Sequence, residues 1–113
     1  METSTMNHLE QEMTLLRRLF EPWNTVPHGT VIWEPEASDP NGAFKREMIG
    51  KAGEVIAAGD SALAGASFNV PQFGEPDFDS LEASLANDHE QGAFYELAVA
   101  CDRVVQSLAR VAA

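Results

Sequence analysis

Apolar residues recur at Phe94, Leu97, Cys101, Val104, Leu108 and Val111, in steps of three, four, three, four and three. This spacing keeps them on one side of a helix and predicts a last helix running almost to the C-terminus. A second stripe, Met6, Leu9, Met13, Leu16 and Phe20, has the same rhythm, and Leu15 and Leu19 broaden it. It predicts a first helix from Ser4 or Thr5 to Phe20, with Asn7 and Glu10 as a candidate capping box further in. Arg17 and Arg18 suit the end of that helix electrostatically, and Pro22 stops it.

Between the two stripes the pattern is broken. Pro22, Pro27, Gly29, Pro35, Pro40 and Gly42 make residues 21–42 mostly loop. TVIW at 30–33 is rich in β-formers and has only SFNV at 67–70 as a weak pairing candidate. A second helix is expected from Asp39-Pro40, a cap followed by proline at the first helical position, to about Ala64. Phe44, Met48, Ala52, Val55 or Ile56, Gly59 and Leu63 mark its expected apolar side. Gly50, Gly53 and Gly59 either fray it or admit a close neighbour. After a loop at 65–77, capped by Asp77 or Asp79, Phe78, Leu81 and Leu85 open a third helical segment. Gly92 then bends it or divides it from the last helix. The expected fold is mainly α: one helical protein-interaction domain over residues 1–113, of three to four helices with long loops, forming a helix-mediated homodimer.

Charge narrows the partners. The chain has 113 residues and a net charge of −11. Residues 52–102 hold no Lys or Arg and ten acids, among them Asp88 and Glu90. Direct nucleic-acid binding is not expected, because neutralising phosphates takes basic side chains. The acids serve either solubility or attraction to a basic partner. No run of about 18 apolar residues occurs, and METSTMNHLEQEM lacks a basic stretch before an apolar one, so a soluble cytoplasmic protein without a signal peptide or membrane span is expected.

Catalytic chemistry leaves little trace. There is no GxSxG, HExxH, CxxC or phosphate-binding glycine pattern. The single cysteine, Cys101, sits on an apolar stripe, as an inert buried thiol would. His8 and Glu12 stand one helical turn apart without a third ligand, and His28 has no recognisable partner in its loop. Asp88, His89 and Glu90 would point apart on a helix. No enzyme, catalytic residue, cofactor or metal is expected.

The stripes carry more information. Phe94, Leu97, Cys101, Val104, Leu108 and Val111 are assigned to the core or a dimer contact. Leu9, Met13, Leu15, Leu16, Leu19 and Phe20 are assigned to a partner-binding face, because the first helix lies at a chain end and its two methionines and four leucines offer an adaptable apolar surface. The competing expectation is that this face packs on the last helix. Trp23 and Trp33 are either core or interface anchors.

MTLLRRLFEPW, the acidic middle and the tail FYELAVACDRVVQSLARVAA together resemble the QslA-like family of small bacterial quorum-sensing antiactivators. The resemblance covers the whole chain, its length included, and implies a mainly helical dimer. It also implies a partner, the ligand-binding domain of the LuxR-type transcription activator LasR. Binding would disrupt activator dimerisation and prevent DNA binding, since a monomer loses half of the contacts made by a dimer on two half-sites. An acidic inhibitor or immunity protein, neutralising a basic enzyme or DNA-binding surface, is the alternative.

Overall fold

The computed structural model describes residues 2–23, 37–72 and 78–112. Among these residues four α-helices follow in order: α1 (Glu2–Phe20), α2 (Gly42–Leu63), α3 (Phe78–Ser84) and α4 (Gln91–Ala112). A 3₁₀ turn, Glu21–Trp23, extends α1 where Pro22 removes a backbone donor. No strand occurs among the described residues: 67–70 is irregular, although Phe68 and Val70 lean on the core, and 30–33 lies outside them, as do His28, Trp33 and Asp77. No helix among the described residues is long and apolar enough to cross a membrane.

The helix ends follow local chemistry. α2 begins at Gly42, two residues later than expected, after Asn41. Asp39 does not cap it. Its Oδ1 accepts the Asn41 N–H at 2.8 Å and its backbone carbonyl accepts the Gly42 N–H at 3.2 Å. At the other end Gly65 takes a positive φ of 75°. The Ala66 N–H then reaches the Ser61 carbonyl at 2.9 Å and the Gly65 N–H reaches Ala62 at 3.1 Å. Those are the two bonds of a Schellman ending, which only glycine adopts without a Cβ penalty. The break before α4 falls at 85–90, not at Gly92. Asn87 turns the chain with a φ of 68°, a conformation asparagine tolerates better than most residues. Gly92 is simply the second residue of α4.

α4 is the central helix and packs on the other three. α1 runs antiparallel to α2 and α4, since Met13 meets Gly59 while Trp23, past the end of α1, stacks on Phe94 at the start of α4. Gly59 does admit a neighbour: a β-carbon there would collide with the Met13 side chain. Leu9, Met13, Leu16, Ile49, Ala52, Phe94, Leu97, Cys101, Val104 and Leu108 are all wholly shielded from solvent.

The buried side of α2 is rotated from the expected one. Lys45, Ile49, Ala52, Val55, Gly59 and Ala62 face inward, while Phe44, Met48, Ile56 and Leu63 lie on the margins. The cause is Lys45, whose ammonium is drawn inside by carboxylates.

Leu16→Ala should lower the unfolding free energy by about 2–5 kcal/mol, the range for a buried leucine whose cavity closes incompletely. Leu15→Ala, one position around the helix and half-exposed, should cost about 1 kcal/mol or less. Leu108→Asp, which buries an unpaired charge, should cost several kcal/mol. Urea denaturation of the three variants checks the order.

Candidate functional site

The most ordered polar constellation lies where the start of α2 meets the turn before α4. Lys45 Nζ is 2.8 Å from Asp39 Oδ2, 2.6 Å from Asp88 Oδ2 and 2.8 Å from Glu90 Oε1. The Lys45 side chain is 2% exposed, whereas those of Asp39, Asp88 and Glu90 are 16%, 9% and 19% exposed. The three donor positions of an ammonium are thus matched by three carboxylates. Below it lies the Phe94 ring, its centroid 5.9 Å from Nζ. That ring is stacked on Trp23 with a centroid separation of 4.8 Å.

Local hydrogen bonds hold the carboxylates in place. Asp88 Oδ1 accepts the Glu90 N–H at 2.8 Å, folding the turn so that residues 88 and 90 converge. Asp88 Oδ2 also accepts Asn41 Nδ2 at 3.3 Å, tying the two turns directly. Gln91 Nε2 donates to the Glu82 carbonyl at 3.1 Å and joins α3 to the start of α4. Residues 88–90 are not helical, so Asp88 and Glu90 converge instead of pointing apart. His89, between them, is exposed.

The electrostatics follow from this geometry. Burial alone would push the Lys45 ammonium towards neutrality, but hydrogen bonds to Asp39, Asp88 and Glu90 outweigh it and raise the pKa above the lysine value. The Lys45 hydrogen bond is the main reason why the Asp39 carboxyl lies below 3.8, helped by the Asn41 N–H. The same bond lowers Asp88, against the effect of its burial. Lys45 is therefore a permanently charged structural cation, unsuited to act as a nucleophile or base near neutral pH.

Elsewhere the chemistry is quiet. Burial pushes the Cys101 thiol up to about 12, with Asp102 adding to the effect. Ser107 Oγ is buried without a hydrogen-bond partner among the described residues, so no base there activates it. His8 Nε2 lies 3.7 Å from Glu12 Oε1. Among the described residues no three His, Cys, Asp or Glu side chains form a metal-binding group.

The sequence-assigned faces are found inside the monomer. Leu9, Met13, Leu16 and Phe20, assigned to an outward partner surface, are core residues with exposures of 0–4%. α1 packs them against α4 and α2, and burying each side chain contributes roughly 1.5–3 kcal/mol. Leu15 and Leu19 form a half-buried shoulder. Phe94, Leu97, Cys101, Val104 and Leu108 are core, with Val111 half-buried beside them. Trp23 is also core, at 6% exposure. Tyr95 is the one large apolar side chain among the described residues that counts as exposed. The acids remain outside: Glu47, Glu54, Asp79, Glu82 and Glu96 are all exposed. Asp60 is too, and it pairs with Arg17.

Asp88→Asn keeps the shape of the Lys45 cage and removes one charge. At pH 7 it should cost about 1–3 kcal/mol, the range for a hydrogen bond to a charged group. The Asp88 pKa is lowered by folding, so its stabilisation is complete well above 3.8 and is lost as pH falls through the lower folded value. The gap between wild type and variant should therefore narrow below pH 3.8, as read by urea titrations at neutral and acid pH.

Protein-family models, curated proteins and solved structures were each compared with the chain, and no match was found in any of the three.

Proposed function

We propose that this protein is a helical inhibitor that acts by binding a basic surface on another protein. The observation that supports this reading is the division of its side chains: the apolar stripes of α1 and α4 are used inside the monomer, and exposed carboxylates remain on α2, α3 and α4. Such a surface steers a basic partner towards contact and sets selectivity by charge. A basic enzyme or a DNA-binding surface fits, and the inhibitor would cover the patch that normally meets phosphate. No catalytic step belongs to this reading.

The family resemblance supports a second reading, in which the chain is a dimeric antiactivator of LasR. Its apolar contacts would then come from half-buried side chains, Leu15 and Leu19 on α1 or Val105 and Val111 on α4, because Leu9, Met13, Leu16 and Phe20 are core.

Salt separates the two. With the purified protein as bait, charge-driven capture should fall at least about tenfold between 0.05 and 0.5 M salt, as screening shortens to a few ångströms. The exchange Glu54→Lys with Glu96→Lys, each adding two positive charges to the net −11, should weaken capture without loss of helicity. Capture indifferent to both changes would exclude the charge reading.

Binding of purified LasR that persists in high salt, together with a light-scattering mass of twice 12.3 kDa, is the outcome expected of the antiactivator. A monomer that leaves LasR dimers intact on DNA would exclude it.

A further inference from the structure

We propose that the Lys45 cage is an acid-sensitive latch: α3 and the turn at 85–90 stay docked on the start of α2 while Asp39 and Asp88 are ionised, and on acidification they release as one unit while α1, α2 and α4 remain packed. The inference rests first on how unequally the elements are held. α1, α2 and α4 share nearly the whole apolar core, from Leu9, Met13 and Leu16 to Ile49, Val55, Leu97, Val104 and Leu108. α3 is seven residues long. Among the described side chains it is attached through Leu81, with Leu85 just past its end, and by the bond from Gln91 Nε2 to the Glu82 carbonyl. The ion cage ties this unit to the start of α2, and it responds to pH where apolar packing does not.

The groups that meet Lys45 are few. Asp39 faces it from the turn before α2, with Asn41 bridging to Asp88. Asp88 and Glu90 face it from the turn before α4, while His89 between them is exposed. Among the described residues, α4 contributes the uncharged Phe94 ring, backed by Trp23 of the 3₁₀ turn. Once Asp39 and Asp88 take up protons, the ammonium remains charged and loses those two counter-charges, and a buried charge that is no longer offset must reach water. Asp39 and Glu90 are 16% and 19% exposed, so water stands at the edge of the cage. Lifting the turn hydrates Lys45 and uncovers Leu81 and Leu85 but leaves the packing of α1, α2 and α4 in place, a local release of one segment. The sign is fixed by the lowered Asp39 and Asp88 values: the latch is closed above 3.8 and opens as pH falls below it.

The test follows backbone amide resonances of the full chain from neutral pH downward. Below pH 3.8, residues 81–90 should lose their dispersed shifts while those of 9–20 and 97–108 keep theirs. Simultaneous loss of all helices overturns the latch. Lys45→Met gives the opposite sign. At neutral pH three unpaired carboxylates repel one another and the turn is released, and acid, by neutralising them, docks it again. A Lys45→Met protein with the turn docked at neutral pH overturns the proposal. If that variant does not fold, Asp88→Asn replaces it: with one tie fewer, the release midpoint should rise by about half a pH unit or more, and an unmoved midpoint counts against the latch.

Discussion

One buried ammonium constrains the arrangement of this fold more tightly than any apolar contact. Apolar packing is tolerant, since a helix carrying leucines and alanines can rotate or slide by a residue and still bury most of its surface. Lys45 does not tolerate this. Its charge is withdrawn from water, and only a geometry in which carboxylates converge within hydrogen-bond reach offsets that desolvation. The requirement fixes the rotation of α2, places Asp39 under the first turn, and shapes the turn before α4 so that Asp88 and Glu90 face the same way. A buried ion pair is weak evidence for net stability, because a well-packed apolar replacement is often as stable. What it supplies is discrimination, for a slipped register would leave the ammonium unpaired.

The rest of the core is organised about α4. With α1 on one flank and α2 on the other, its stripe from Phe94 to Leu108 is covered by the chain itself. A stripe of this kind is neutral about what covers it, and the same spacing serves a monomer core, a dimer or a partner groove. Here three long helices suffice. Exposed carboxylates remain on α2, α3 and α4, which is why the proposed reading rests on charge.

Much of this was legible in the residues. The rhythm of α1 and α4 is regular because each buries a single stripe, and Pro22 and Gly65 punctuate the chain for plain steric reasons. The position of α2 was legible but its rotation was not: Lys45 falls on the same stripe as Ile49 and Ala52, yet a lysine at an apolar position ordinarily extends its charge back to water. Nothing local to α2 announces Asp88 and Glu90, more than 40 residues away. A clue was present in Asp88 and Glu90 themselves, two apart in a turn-forming context after Asn87, where alternate side chains share a side. Assigning α1 to a partner failed for a related reason. Spacing shows that a face is buried, not by what, and it is the packing of α1 on α4 and the contact of Met13 with Gly59 on α2 that show what takes it.

The negative charges thus divide into two populations with different physical roles. Asp39, Asp88 and Glu90 surround one ammonium, so the cage keeps two surplus negative charges near the surface. They add to the field around the start of α2, but both oxygens of Asp39 and of Asp88 are occupied by Lys45, Asn41 and the Glu90 N–H and are poorly placed to bond a partner. Exposed acids such as Glu54, Asp79 and Glu96 are free to make contact. At physiological salt a field extends only about 8 Å, so the cage's surplus reaches a partner only when that partner approaches this edge. The cage and the exposed acids therefore act at different stages of an encounter. On the reading proposed above, the cage would hold the framework and bias approach locally, and the exposed carboxylates would decide which basic surface fits.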